Sequence, residues 1–195
     1  QQLRTLAGQL RLPLATLLSV PLHVLLARYS GHYRHALGRV HPNRPSPALH
    51  RLVGRLEDIA PIVAPLTATM SFADAATAVQ AAFDEACAHP LPYERLAQEV
   101  WQDAPDASGA ALQTLFSHQP APAWMAAHNK LASAGLEVTL LSLDQLAGAH
   151  SRADAALVVT SLDRPDGGIT VLFNAAEDSV DPALLHQAAG HWLRL

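Results

Sequence analysis

The sequence predicts an α/β fold in which helices pack over one mixed β-sheet. Several long segments carry apolar residues at helical spacing, and these segments have recognisable end signals. Short apolar runs bounded by Pro, Gly and Asp lie between them, which is typical of strands. Half of the 195 residues are apolar and 15% are charged. The chain therefore has the composition of a globular protein with a sizeable core.

Two helices are predicted at the start of the chain, over Gln1 to Leu10 and Leu14 to Tyr29. Pro13 suits the N-terminal end of the second helix, and Gly31 is a stop signal after it. This second helix is apolar on nearly every side. Such a helix belongs in a core or under another element.

Two later helices have clear N-caps. Ser71 and Asp74 form a near capping box ahead of an apolar stripe that ends at Cys87. Asp181 precedes the last helix, and Pro182 occupies its first position. Strands are predicted at His35 to His41, Ala60 to Ala64, Ala111 to His118, Leu136 to Leu143, Ala155 to Ser161 and Gly168 to Phe173. Loops are predicted at Asp103 to Gly109, Gln119 to Asn129 and Asp163 to Gly168.

Charge and cysteine content narrow the function classes. The net charge is −4 and the thirteen Lys and Arg residues are scattered, which argues against a nucleic-acid groove. No apolar run reaches the roughly 18 residues that a membrane helix needs. Cys87 is the one cysteine, so no internal disulfide forms, and we expect it to pack as a small buried residue in a cytoplasmic protein.

Eleven histidines invite a metal hypothesis. His32 with His35 and His186 with His191 are the pairs to consider, but their spacing is poor for one helix face and no acidic or Cys partner is near. We therefore expect no metal site. The chain also begins inside a helical pattern and ends in another, so we expect a piece of a longer protein.

A corner at His89-Pro90-Leu91-Pro92-Tyr93-Glu94-Arg95-Leu96 joins the helix that ends near Cys87 to a shorter one, Tyr93 to Trp101. Its two prolines fix the backbone and remove two donors, and Pro92 can stand at the start of the next helix. Glu94 lies in the first turn, where the helix dipole favours a carboxylate. We expect His89 to bond the backbone at this corner rather than to act in catalysis.

This corner resembles the "H-x-D-L-P-F-E-R-L" motif of nonribosomal peptide synthetase condensation domains. Five other parts of the chain resemble motifs of the same family, in the right order. Leu25 to Gly31, which reads LLARYSG in this chain, resembles the family's helix end before the first strand of the lobe. The other four, each given with the family motif that it resembles, are Gly38 to Pro45 ("G-T-P-V-A-G-R-P"), Val53 to Ile62 ("I-G-F-F-V-N-T-L-P-L"), Leu112 to Phe116 with Gln119 to Pro122 ("F-Q-V-M-F…Q-N-A-P"), and Phe173-Asn174 with His191 to Leu195 ("Y-N", "H-F-x-x-L").

The resemblance implies that residues 1–195 form the C-terminal lobe of a two-lobed fold similar to chloramphenicol acetyltransferase, with a tunnel between the lobes. The His-His-x-x-x-Asp-Gly motif of the first lobe is absent, so no catalytic residue is expected in this chain. His150 and Asp154 have His-x-x-x-Asp spacing, but the second His and the Gly are missing. Asp154 falls at the family's strand entry, and we assign it a structural role.

The resemblance also implies the partners of this lobe. These are the N-terminal lobe, the carrier domains that bring acyl or peptidyl donors and amine acceptors, and the neighbouring synthetase domains. No nucleic acid or membrane partner is expected. No cofactor is expected to bind directly, since the substrates arrive on the phosphopantetheine arms of the carriers. The motif residues His89, Pro92, Tyr93, Glu94 and Gln113 are expected to be structural.

The segment Gly54 to Ala60 occupies the place of the family's tunnel motif, so Arg55, Asp58 and Ile59 are the tunnel-lining candidates. Asp58 stands where the family has Asn, and an ionised Asp only accepts hydrogen bonds. A carboxylate in a tunnel needs a partner, and Arg55, in place of the family's first Phe, is the candidate.

Three functions remain open after this comparison. The first is one lobe of a working, amide-forming condensation domain, inactive by itself. The second is a degenerate condensation-like module that binds or recruits other proteins, and the third is an epimerisation domain. As half of a two-lobed domain, the chain should also present an apolar patch, expected near Gly54 to Ala60 and Gln119 to Trp124.

Overall fold

The computed structural model describes residues 1–100, 112–120, 135, 155–164, 166–176 and 179–195. Several predicted features lie outside these residues. They are the loop Asp103 to Gly109, the strand Leu136 to Leu143, most of the loop Gln119 to Asn129, and the residues Trp101, Trp124, His150 and Asp154.

Two consecutive helices open the chain, α1 (Gln2–Leu10) and α2 (Leu14–Ser30). Their axes are bent by 99° at the junction. Gly31 follows α2 in the left-handed conformation, with φ at 74°, which confirms the predicted stop signal. Most of α2 is buried, as expected for a helix that is apolar on nearly every side.

Among the described residues, the sheet has five strands in the order β2-β1-β3-β4-β5. These strands are β1 (Leu37–His41), β2 (Asp58–Ile62), β3 (Thr114–Gln119), β4 (Leu157–Asp163) and β5 (Ile169–Ala175). β3 runs parallel to both β1 and β4, whereas β2 and β5 are antiparallel to their neighbours. The predicted mixed sheet is therefore confirmed.

Strand β2 lies two residues earlier than the sequence indicated. We predicted Ala60 to Ala64, but the ladder with β1 begins at Asp58, which is opposite His41, and ends at Ile62. Pro61 is inside the strand, opposite Gly38. A proline is compatible with this position because β2 is at the edge of the sheet among the described strands.

Four more helices complete the described structure. They are α3 (Pro47–His50), which we did not predict, α4 (Phe72–Ala88), α5 (Tyr93–Val100) and α6 (Pro182–Trp192). Ser71 Oγ accepts the Asp74 N–H at 3.2 Å, and Asp181 Oδ1 accepts the Ala183 N–H at 2.7 Å. Both predicted N-caps are therefore confirmed.

Helices and sheet enclose buried clusters on the two faces of the sheet. On one face, residues of α2 and α6 pack against inward side chains of the sheet, among them Leu37, Phe116 and Val159. The adjacent residue Gly38 faces the other side of the sheet, because the side-chain directions of successive residues in a strand alternate between its two faces. A side chain there would meet Leu115 at 2.5 Å, so the second cluster closes directly over this glycine.

No single helix among the described residues has both the length and the apolar composition to cross a membrane. Helices α1 and α2 meet those criteria when they are taken together, but only as the bent pair described above.

Candidate functional site

A groove of about 600 Å³ runs beside strand β2. Its walls come from three of the segments that carry the sequence resemblance: residues 41–45 after β1, residues 58–61 of β2, and the corner at residues 89–91 with Leu96. The end of α4 contributes the fourth wall, with Phe83, Ala86 and Cys87. Segments that are far apart in the sequence thus meet at one site.

Asp58 connects two walls of this groove. Its Oδ1 accepts the N–H of Ile59 at 2.8 Å and the N–H of Tyr93 at 3.4 Å. Tyr93 is the first residue of α5, and the first N–H groups of a helix lack intrahelical acceptors. A carboxylate at this end also interacts favourably with the helix dipole. Asp58 therefore caps α5 from the neighbouring strand.

Arg55 does not neutralise Asp58. Its side chain is exposed, it is not part of the groove wall, and it forms no hydrogen bond or ion pair within the described part of the chain. Asp58 instead satisfies Oδ1 with two backbone amides, and Oδ2 accepts no hydrogen bond from a described residue. The proposed Arg55–Asp58 pair is therefore not formed in this structure.

Ile59 contributes to the groove and to the core. It lines the groove beside Asp58, and it also packs against the cluster of Leu112 and Leu115 on the face toward which Gly38 points. Its Cγ2 lies 2.9 Å from the place that a Gly38 side chain would occupy. The β2 edge of the groove is thus held rigidly against the sheet.

Arg44 organises the loop that leads into β2. Its guanidinium donates to the carbonyl oxygens of Leu49, of Leu52 at 2.9 Å and of Gly54 at 3.1 Å. All three acceptors are backbone groups, so the planar fork fixes the course of the chain ahead of Asp58. Sequence analysis gave Arg44 no role, and the signal that could have found it was its place in the segment Gly38 to Pro45.

The corner places His89 in the groove wall. The His89 Nδ1 lies 3.1 Å from the carbonyl oxygen of Glu85. A carbonyl only accepts, so Nδ1 donates in this bond. The predicted backbone bond of His89 is therefore present.

The other motif residues hold the elements around the corner together. The carbonyl of Pro92 accepts the Leu96 N–H at 3.1 Å, and Glu94 is in the first turn of α5. Burial raises the pKa of Tyr93, although the backbone of Leu112 opposes that shift. Gln113 lies just before β3, and its carbonyl accepts the N–H of Leu157 at 3.0 Å.

A buried arginine lies behind the groove wall. Arg39 of β1 is 7% exposed, and its guanidinium carbon is 3.9 Å from the centre of the Phe83 ring. It donates to Thr16 Oγ1 at 3.1 Å, and the Thr16 hydroxyl donates to Gln80. Burial lowers the Arg39 pKa to about 10, so the group stays charged at neutral pH. No local sequence signal marks this network, because its members are distant in the chain.

Burial keeps two other groove side chains neutral. It lowers the pKa of His41, against the raising effect of the Asp58 carboxylate. It also raises the pKa of the Cys87 thiol, although the Arg39 charge acts in the opposite direction. At neutral pH His41 is thus an uncharged imidazole and Cys87 a protonated thiol, and a thiol is a weak nucleophile.

Within the described ranges, no three His, Cys, Asp or Glu residues are grouped closely enough to hold a metal ion.

Comparison with known proteins identifies the fold. The chain is similar to the condensation domain from monacolin K polyketide synthase MokA, with a TM-score of 0.76 and 15% identity over 98% of this chain and 42% of that one. It is also similar to the first condensation domain of the CDA synthetase, with a TM-score of 0.68 and 14% identity over 98% of this chain and 40% of that one.

The X-domain from teicoplanin biosynthesis has the same fold, with a TM-score of 0.72 and 17% identity over 98% of this chain and 42% of that one. The chain thus spans about two fifths of the length of these structures. No curated protein sequence matches it.

The family model of the condensation domain matches residues 1–195. The α/β fold with its mixed sheet and the sequence resemblance lead to the same assignment. The chain belongs to the condensation domain family.

Proposed function

We propose that the chain is the C-terminal lobe of a nonribosomal peptide synthetase condensation domain, and that its groove forms part of the tunnel wall beside the acceptor. The proposal is supported by the family match over residues 1–195 and by the two fifths of each solved structure that the chain spans. In this proposal the complete domain joins a carrier-bound acyl or peptidyl donor to a carrier-bound amine.

The single observation that carries the proposal is the convergence of three resembling segments at one groove. The Asp58–Tyr93 hydrogen bond joins two of these segments directly, and the Arg44 fork fixes the approach to β2. These contacts shape a wall. In this proposal the lobe acts by positioning.

Catalysis would then depend on the other lobe. The sequence contains no His-His pair, and the His-His-x-x-x-Asp-Gly motif is a feature of the first lobe in the family that the sequence resembles. This chain would supply the tunnel wall and part of the carrier docking surface. It would hold no cofactor of its own, because the phosphopantetheine arms belong to the carriers.

Exposed apolar side chains near the groove support a partner lobe. Val53 is fully exposed (100%), Leu52 is 51% exposed and Leu91 is 39% exposed. The first two lie on the loop that Arg44 holds in place, ahead of β2. Apolar side chains that are held on an ordered loop are suited to burial against another surface.

The test is a condensation assay with loaded donor and acceptor carriers. We expect amide formation when the chain is joined to an N-terminal condensation lobe, and none with the chain alone. Amide formation by the isolated chain above the uncatalysed background would contradict the assignment of catalysis to the other lobe. A joined protein without activity would favour the second candidate below.

The second candidate is a condensation-like module that binds other proteins and makes no bond. The departures from the family pattern favour it, because they fall at the tunnel motif: Arg55 is exposed, and Asp58 uses Oδ1 to cap α5. A binding module needs the fold and the surface but not the tunnel chemistry. The condensation assay on the joined protein separates the two functions.

A further inference from the structure

The groove has one carboxylate and one arginine in its described lining, and the two do not form an ion pair. Among its described lining residues, Asp58 is the one carboxylate and Arg44 the one arginine. The Arg44 guanidinium is already engaged by three carbonyl groups, and the pKa of His41 is lowered by burial. The Asp58 carboxylate therefore forms no ion pair with any described side chain that lines the groove.

The two oxygens of Asp58 have different environments. Oδ1 is held by the backbone N–H groups of Ile59 and Tyr93, which fixes the carboxylate in place. Oδ2 has no described partner and keeps its capacity to accept. Two backbone amides stabilise the charge without cancelling it, so a cation that reaches Oδ2 forms a charge-assisted hydrogen bond in a partly dehydrated site.

The rest of the groove suits an organic cation better than a hydrated ion. His89, whose Nδ1 donates to the Glu85 carbonyl, lines the same groove. The remaining walls include the apolar side chains of Phe83, Leu91 and Leu96. A carboxylate oxygen without a described partner, beside an apolar wall, is complementary to an ammonium group on a hydrocarbon chain.

We propose that this groove is a subsite for a protonated alkylamine, with Asp58 as its counter-ion. The inference deepens the proposed function and rests on it for the identity of the substrate. An amine must be unprotonated to attack a thioester, so the ammonium group on Asp58 is not the reacting one. The favoured acceptors are accordingly those with a second, cationic amine, such as diamines or amino acids with a basic side chain.

Binding to the chain itself is the first test. The probes are hexylammonium chloride and, as an uncharged match of the same length, hexan-1-ol, measured by calorimetry and by the NMR signals of the His89 and His41 rings. Asp58→Asn keeps an oxygen that accepts from Tyr93 but removes the charge. We expect hexylammonium to bind this variant about fivefold to tenfold more weakly, while hexan-1-ol binds both proteins equally.

Glu57→Gln is the matched control. Glu57 is exposed, adjacent in sequence and outside the groove, so its replacement removes the same charge without touching the site. Equal hexylammonium affinity in the Asp58 and Glu57 variants would overturn the proposal, as would a wild-type protein that binds hexan-1-ol as well as the cation.

Leu91→Lys is a second variant that leaves Asp58 in place. Leu91 lines the groove and is 39% exposed, so a lysine can be accommodated and can place its own ammonium in the groove. We expect hexylammonium binding to be lost. Unchanged binding would contradict the site even if Asp58→Asn proved too unstable to measure.

The acceptor preference is measured separately, with the joined two-lobe protein and acceptors that differ by one terminal ammonium group. Amide formation that is faster with the cationic acceptor, and loses this preference in Asp58→Asn, supports both proposals. Amide formation without any preference for the cation overturns the inference alone. Cation binding through Asp58 without amide formation overturns the proposed function and leaves the subsite standing.

Discussion

Asp58 of β2 accepts a hydrogen bond from the N–H of Tyr93, with 3.4 Å between Oδ1 and N. The two residues are 35 positions apart, and each belongs to a segment that resembles a condensation motif. The bond joins the edge strand to the start of α5 beside the groove. One side chain thereby has a structural task through Oδ1 and an open position at Oδ2.

Replacement of Asp58 by Ala and by Asn should measure what the capping bond of Oδ1 contributes to stability. The N-terminal amides of α5 lose their carboxylate, and we expect a loss of about 1 kcal/mol in the free energy of unfolding, typical of a lost cap. Asp58→Asn should lose less, because its amide oxygen still accepts. Urea denaturation measures both, with Glu57→Ala as the exposed control. Equal stability of the Ala and Asn variants would show that the capping bond contributes nothing.

Gly38 should not tolerate a side chain. A Cβ there would lie 2.5 Å from Leu115 Cδ2 and 2.7 Å from Leu112 Cδ1, in a buried cluster. We expect Gly38→Ala to lower the free energy of unfolding by about 1–3 kcal/mol, the usual range for overpacking.

Gly8→Ala is the matched control for this substitution. Gly8 lies in α1, and a Cβ there meets no atom within 4 Å. The same change should therefore stabilise the chain, by about 0.5–1 kcal/mol. Equal stability of the two variants in thermal unfolding would contradict the close approach of Leu112 and Leu115 to Gly38.

Thr16→Val tests the buried network behind the groove. Thr16 is 0% exposed, and its hydroxyl connects the Arg39 guanidinium to Gln80. Valine has nearly the same shape but no hydroxyl, so the charged group and the amide both lose a partner. We expect a loss of about 1–3 kcal/mol. Thr77→Val is the control, because Thr77 is exposed and bonds only the helix carbonyl of Ala73; a similar loss there would contradict the specific role of Thr16.

The buried pair of His23 and His35 should make the chain sensitive to acid. His23 Nδ1 lies 3.3 Å from His35 Nε2, and burial lowers the His23 pKa to about 3, with His35 and Arg39 adding to the effect. The folded state therefore holds His23 neutral, whereas the unfolded chain binds a proton below its ordinary pKa. Stability is fully present above about pH 6.5 and is lost as the pH falls toward about 3.

The measurement is urea denaturation at about pH 7.5 and about pH 5. His23→Phe removes the titrating ring, so the loss of stability between these pH values should be smaller by on the order of 1–2 kcal/mol. His35, His41 and His118, whose pKa values are also lowered by burial, retain part of the dependence. The exposed His186→Gln variant should behave like the wild type; an unchanged pH dependence in His23→Phe would rule out this assignment.

Local signals predicted the helices and the turns well. The caps Ser71 and Asp181 and the stop at Gly31 were identified from residue type and spacing alone, because a cap is an interaction between near neighbours. The turn between β4 and β5 was predicted in the same way, and Gly167 has a φ of 82° there. The edge strand β2 was misplaced, since its pairing with β1 rather than its own apolar run determines where it begins.

The candidate site was predicted only in part. Asp58 and Ile59 line the groove and Arg55 does not, whereas the place of all three in a tunnel stays a prediction. The predicted Arg55 partner of Asp58 is replaced by backbone amides. Tertiary packing determines these partners, and no periodicity or spacing reports it. The network of Arg39 went unrecognised for the same reason.

The central claim is that this chain is built to be completed by a first lobe, and sedimentation velocity across a concentration series tests it most directly. We expect the isolated chain to self-associate through its exposed apolar residues, and an equimolar complex to replace that association when an N-terminal condensation lobe is added. Complex formation should also raise the melting temperature. A chain that stays monomeric at every concentration and ignores the first lobe would contradict the two-lobe account.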